Sequence, residues 1–422
     1  MSTTRIIAMT TSTAALALAL PAMAQDATIT IATHYNDAQM EPLTACFRQY
    51  EEENPGIAIE HQQASYRDFL QTILTARVGG TSPDIYNIYS IWAPQLAAAG
   101  VLAEPPEDVA ATIREAYGEG TVGAATIGGT LYGFPTELSV YQLIYNRTLL
   151  EEAGFSEPPA TWDELREAAA AITQTNDQGN ITVAGYTYGP TEANAVHPFF
   201  SQLYANGVQP FGEDFRTSNV DDPVAVDILS KQAALFADGI TSTAVETDDF
   251  AAGGAAMAIM ANWNKSTLED AFGDAFADTV GVAPIPHDEG KGGTMLYSFF
   301  WAVDASSDVT DEAWALLSWL NTAQEGQEMS CTGQMLAELG ALTGNLADLA
   351  AMDTDDPFTA PFVEAVESGA AVSQPNVWQS AEIERILRSA IEQVWAGRVS
   401  AEDALAQADA EIQSILDEQP EG

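Results

Sequence analysis

Aromatic rings stand beside hydroxyls or amides at Ser90-Ile91-Trp92, Trp263-Asn264, Tyr297-Ser298 and Asn376-Val377-Trp378-Gln379, each at a predicted strand end or turn. A ring offers a flat apolar face, and the neighbouring polar group fixes direction by hydrogen bonding. That pairing suits an uncharged polyhydroxylated ligand with apolar C–H faces. Trp314, Trp319 and Trp395 fall inside predicted helices and read as core packing. Catalytic patterns are scarce: there is no G-x-S-x-G elbow, no H-E-x-x-H and no G-x-x-x-x-G-K. His34, His61, His197 and His287 are too far apart in sequence to form a ligand spacing, so neither a metal nor a cofactor is expected. Glu137 invites comparison with a glycosidase carboxylate, which needs a second carboxyl group across a cleft. With 61 acidic residues a partner is always available, so the pairing carries no information and no catalytic residue is expected.

Positioning these groups falls to a βαβ pattern at the start of the chain. Residues 28–33 read as a strand, 38–52 as an amphipathic helix, 57–60 as a strand, 66–78 as a helix and 84–89 as a strand. This alternation predicts a mostly parallel sheet covered on both faces, with ligands beyond the carboxyl ends of its strands. Those ends are Thr33-His34-Tyr35, Ala64-Ser65-Tyr66 and Tyr89-Ser90-Ile91-Trp92, a rim of rings and hydroxyls.

The stretch 127–146, IGGTLYGFPTELSVYQLIYN, then turns at Gly128-Gly129 into one long strand suited to burial on both faces. A strand of that length can cross between two lobes. Its polar interruption Thr136-Glu137-Leu138-Ser139 would lie at the crossing, where a hinge and a cleft belong.

Further on, Thr161-Trp162-Asp163-Glu164 is a capping box opening a helix through residue 172, and helices are read at 194–205 and 223–238. An apolar strand at 255–261 ends at Asn262-Trp263-Asn264, another strand-like run covers 280–286, and a strand at 297–303 follows a glycine-rich loop as the return crossing. Helices are expected at about 311–321, 324–331, 381–396 and 401–417. Residues 340–375 have no readable period.

A chain of this length exceeds the size at which one core keeps growing, so two domains are expected. The formal net charge of −47 leaves no basic footprint for nucleic acid and reads as a surface solvated for a salty medium. Residues 1–24 read as a secretory leader: Arg5 at the start, a short apolar core at 14–20, and Ala22-Met23-Ala24 before Gln25. No later run approaches the roughly 20 apolar residues of a membrane span. Export permits a disulfide between the two cysteines, Cys46 and Cys331, although two buried thiols fit the local pattern as well.

FRQYEEENPGIAIE, GGTSPDIYNIYSIWAPQLAAAGVL, GTLYGFPTELSVYQLIYNRTLLEEAGFSEPPATWDEL, FAAGGAAMAIMANW, and VGVAPIPHDEGKGG followed by SFFWAV occur in this order, spread over most of the mature chain. Together they resemble the periplasmic sugar-binding proteins of ABC importers, of the maltose-binding-like group. The resemblance implies an α/β fold, the two-lobed periplasmic-binding-protein fold with discontinuous lobes joined by crossing strands. It implies a first lobe of 25–135 and 292–345 and a second of 136–291 and 346–422. Both cysteines then fall in the first lobe, which strengthens the disulfide reading.

The positions matching family binding residues are His34, Tyr35, Tyr66, Ser90, Trp92, Glu137, Ser139, Trp263, Asn264, Tyr297, Ser298, Trp378 and Gln379. The chain departs from the family at Cys331-Thr332-Gly333-Gln334-Met335-Leu336, where many members carry a proline-containing stretch. What is implied is a monomeric periplasmic receptor that binds a neutral sugar or short oligosaccharide and delivers it to an ABC importer permease, with no catalysis and no membrane span of its own. A phosphorylated or sulfonated ligand is the rival reading and would call on Arg67. An enzyme acting on glycosides through Glu137 is the alternative from another class.

Overall fold

A computed structural model describes residues 27–213, 215–288, 292–352, 354–374 and 376–420, the side chains of residues 67, 119 and 120 excepted. The leader read at 1–24 and part of the glycine-rich loop before the return crossing lie outside the described residues.

Nine strands form one sheet: β1 (Ala27–Thr33), β2 (Ile57–Gln63), β3 (Ile85–Tyr89), β4 (Gly133–Asn146), β5 (Met257–Ala261), β6 (Val280–Ala283), β7 (Thr294–Val303), β8 (Leu342–Thr343) and β9 (Ala371–Ser373). Their order is β6-β4-β7-β3-β1-β2, with β5 and β8 also paired to β4 and β9 to β7. The sequence predicts a mostly parallel sheet, but parallel pairing is confined to β1–β2, β1–β3 and β7–β9. The two long strands run against each other, β4 also runs against β5, β6 and β8, and β7 also runs against β3.

Every residue of β4 is buried, as its apolar content requires. Its Gly133–Pro135 end pairs with β7, which in turn pairs with β3. From Tyr141 onward β4 pairs with β5 and β6. Gly133 is forced by this crossing: a Cβ there would collide with the Trp301 carbonyl oxygen on β7. Pro135 offers no N–H to the ladder, and the β4–β7 register shifts between Ser298 and Phe300 beside it.

The helices that matter here are α1 (Glu41–Glu53), α2 (Tyr66–Gly79), α3 (Trp162–Ile172), α4 (Glu192–Ala205), α5 (Pro223–Ala237), α6 (Thr310–Leu320), α7 (Cys331–Glu338), α8 (Ser380–Trp395) and α9 (Ala401–Asp417). The capping box forms as read, with the Thr161 side chain accepting from Glu164 N and Glu164 reaching back. The stripe Ile383, Ile386, Leu387, Ile391 and Val394 is buried on α8.

The helix expected at 324–331 is absent. Gly326 there adopts φ 87°, and Ser330 caps the following helix by accepting from Gly333 N, so α7 begins where the expected helix would end. The unreadable stretch holds β8, β9 and short helices at Leu346–Ala351 and Ala360–Glu367, each below the length at which a period shows. Cys46 of α1 and Cys331 of α7 are joined as a disulfide, with Cα atoms 6.3 Å apart. That decides between the bridge and the two thiols.

Candidate functional site

The first residue of α2, Tyr66, stands 44% exposed among the buried rings of Trp92, Tyr89 and Phe299 and the half-buried His34. Trp92 lies 5.6 Å from it between ring centroids, His34 5.8 Å, Phe299 6.3 Å and Tyr89 6.4 Å. These come from the ends of β1 and β3, the turn after β3, and β7, so the predicted rim does assemble. Burial pushes the Tyr66 hydroxyl well above the ordinary tyrosine pKa, helped by Tyr297, Glu384, Glu192 and Glu137. The Tyr66 ring is thus open to solvent yet crowded by groups from several elements, which makes this cluster the candidate site.

Deeper in, Tyr89 stacks on Phe299 at 5.1 Å and approaches Tyr297 at 4.9 Å. Tyr297 accepts from the Trp263 indole at 3.0 Å, bringing the end of β5 to the return crossing. The Tyr35 hydroxyl donates to Glu137 at 2.5 Å. Glu137 is only 7% exposed; burial raises its pKa, while hydrogen bonds from Tyr35 and Ser139 pull the other way. His34 is pushed down to about 4 by burial, and its Nδ1 has no hydrogen-bond partner. It is therefore a neutral ring at physiological pH, with one polar atom to spare.

Other expected positions are less engaged. Ser90 and Ser298 are buried, and the Ser298 hydroxyl is satisfied by the Phe299 carbonyl at 2.8 Å. Asn264 is half-buried and donates to the Ala261 carbonyl at 3.0 Å, capping its own turn. Trp378 and Gln379 precede α8; the Trp378 indole N–H is buried without a partner, and Gln379 takes the left-handed φ of 52°. Among the described residues no ring contact ties these two to the Tyr66 cluster.

Sequence reasoning missed a second buried constellation beside the first. Tyr89 donates to Gln374 at 2.8 Å, Gln374 donates to Glu384 at 2.5 Å, His197 Nε2 lies 3.1 Å from the same carboxylate, and Tyr141 meets His197 Nδ1 at 2.8 Å. A signal did exist. His197 is a polar residue on a helix whose residues from Ala195 to Ala205 are all buried, a placement that demands partners.

Three other features do not compete with this cleft. A cavity of about 300 Å³ lined by Trp162, Ile228, Lys231 and His287 shares no residue with the ring cluster, and its lysine is paired with Asp227 and Asp288. Gly118-Glu119-Gly120-Thr121-Val122-Gly123 has the G-x-G-x-x-G spacing but follows a helix, Glu107–Ala116, and so lacks the strand that a dinucleotide site requires. Among the described residues no group of three or more His, Cys, Asp or Glu is placed to hold a metal ion.

The sequence pattern of the bacterial extracellular solute-binding proteins matches residues 36–327. The chain belongs to that family. This solute-binding protein is 28% identical over 354 residues to the mannitol-binding protein of Pseudomonas aeruginosa, covering 74% of this chain and 73% of that one. The GacH receptor of Streptomyces glaucescens, solved unliganded and with acarbose, superposes with a TM-score of 0.78 at 22% identity, over 93% of this chain and 99% of that one. A solute-binding protein of Thermotoga lettingae bound with α-D-tagatose gives 0.79 at 23% identity, over 92% and 99%. The fold of the solute-binding protein is thus the two-lobed α/β fold of periplasmic binding proteins. No helix among its described residues is long and apolar enough to cross a membrane.

Proposed function

We propose that this solute-binding protein captures a neutral sugar or short oligosaccharide in the cleft around Tyr66 and presents it to the permease of an ABC importer. The observation that carries the reading is the open Tyr66 ring set among Trp92, His34, Tyr89 and Phe299, with the Tyr35–Glu137 pair beside it. Rings stack on C–H faces, and a buried carboxylate accepts ligand hydroxyls. Mannitol, tagatose and acarbose, the compounds named for the relatives, belong to the same polyhydroxylated class.

Charge favours a neutral ligand. The carboxylates that act on Tyr66 are Glu384, Glu192 and Glu137, and Arg388, which contacts Glu192, is already held by Glu192 and Glu392. A phosphorylated or sulfonated sugar would meet carboxylates without a free described cation. The side chain of Arg67, on which the rival reading depends, lies outside the described residues. The role is that of a binding protein; Glu137 serves as an acceptor and no bond of the ligand is broken.

The lobes are proposed as 25–135 with 292–345 and 136–291 with 346–422, since among the described strands β4 and β7 alone pair with members of both groups. Export by the leader at 1–24 would place the monomer in the periplasm. A thermal-shift panel of the mature protein against neutral saccharides, polyols and their phosphorylated or sulfonated derivatives tests the reading. Ligands that bind only the folded state raise the melting temperature. A rise with a neutral saccharide, lost in Trp263→Ala, supports it; a rise only with anionic compounds replaces it with the rival.

A further inference from the structure

We propose that ligand capture is proton-linked through the buried His197–Glu384 pair, so that the protein takes up a proton as it binds and holds its ligand more tightly at acidic pH. This rests on the saccharide reading above and concerns the regulation of the same cleft.

The geometry fixes the polarity of the pair. Glu384 is 5% exposed and already accepts from Gln374, so its carboxylate faces His197 Nε2 at 3.1 Å as an acceptor and Nε2 carries the ring's proton. In the neutral ring Nδ1 must then accept, and Tyr141 donates to it at 2.8 Å. A second proton can enter only at Nδ1. Tyr141 then becomes the acceptor, and its own hydroxyl turns toward Tyr297, whose ring lies 6.2 Å away and which also holds Trp263. Protonation of this buried ring therefore resets the hydrogen-bond direction of the buried hydroxyls packed behind Tyr89. His197 and Glu384 are positioning residues, acting through Tyr89, Tyr141 and Tyr297.

The sign follows from charge. With a neutral imidazole the pair carries one uncompensated negative charge; with an imidazolium it carries none. Glu384 already acts on Tyr66, Tyr89 and Tyr141, so its charge is felt at the cleft. A saccharide seated against Tyr66 and Tyr89 expels water, and loss of water penalises the net charge more than the neutral pair. Binding thus favours the protonated pair, and affinity is lost as pH rises.

The other titratable groups near His197 do not supply this. Glu192 on its own helix pairs with Arg388 of α8, and Asp227 and Lys231 of α5, which packs against α4, pair with each other. Tyr89, Tyr141 and Tyr297 are all raised by burial and stay protonated. His34, lowered to about 4, stays neutral throughout.

Calorimetric titration of the mature protein with mannitol, tagatose, acarbose and mannotriose, at about pH 5.5 and about pH 8 and in buffers of unlike ionisation enthalpy, tests the proposal. The expected result is roughly tenfold tighter binding at the lower pH with net proton uptake. The slope flattens to less than about twofold in His197→Gln and His197→Asn, is retained in His61→Asn, and reverses in Glu384→Gln, where protonation creates a charge instead of cancelling one. A structural role alone would lower affinity equally at both pH values. Binding with no pH slope, or a slope that persists in both folded His197 variants, overturns the proposal and leaves the saccharide reading standing. Failure of all four probes to bind overturns the saccharide reading, and this proposal with it.

Discussion

Glu137 and Tyr66 carry the account at the scale of single residues. Burial raises the Glu137 pKa, so the folded chain holds that proton more tightly than the unfolded one. Its ionised form therefore detracts from stability by an amount that grows as pH rises from the unfolded value through the folded one. Glu137→Gln is expected to raise the melting temperature at about pH 7 but not at about pH 4, while weakening saccharide binding roughly tenfold. Scanning calorimetry at the two pH values, with a binding isotherm, checks both halves; a variant less stable at neutral pH would contradict the first. The rim residues His34, Tyr35, Tyr66 and Trp92 were legible in the sequence because each lies in the short turn that follows a strand or at its far end. His197 and Glu384 were not, since 187 positions separate them and Glu384 stands between Glu382 and Arg385 on what reads as a solvated helix face.

Elements explain why the rim stays in register. The Cys46–Cys331 bridge ties α1 to α7, and α7 packs on both β4 and β8, the strand that pairs with Glu137 and Leu138. Cys331→Ser is expected to destabilise the fold by about 2–4 kcal/mol. Denaturant unfolding of the variant beside the wild type measures this, and equal midpoints would show that the bridge is idle.

The long strand, the capping box and the amphipathic tail helices could be read because each carries an uninterrupted local pattern or a cap of fixed spacing. The helix expected at 324–331 failed because local polarity resembled a helix surface, while Gly326 and the Ser330 cap act through a backbone turn that composition does not display. Between residues 340 and 375 the elements are short and held by tertiary pairing, as β8 is by β4, so no local pattern marks them.

For the whole molecule, the strongest long-range influence is a formal charge of −47 on 422 residues. Self-repulsion at that density opposes the compact state and is screened by salt. The melting temperature is expected to climb steadily between about 0.05 and about 1 M sodium chloride; a flat response would mean that the acids are locally compensated. Two-lobed architecture was foreseeable from chain length and the crossing strand, whereas the antiparallel pairing around β4 depends on contacts between distant segments.

The central claim is that a neutral saccharide binds against the Tyr66 ring. Its most direct test is calorimetric titration of wild-type protein and Tyr66→Ala with whichever of mannitol, tagatose, acarbose and mannotriose binds most tightly. Loss of one stacked ring is expected to weaken binding by about 1–2 kcal/mol with the fold intact. Unchanged affinity in Tyr66→Ala would contradict the account and place the ligand elsewhere on the protein.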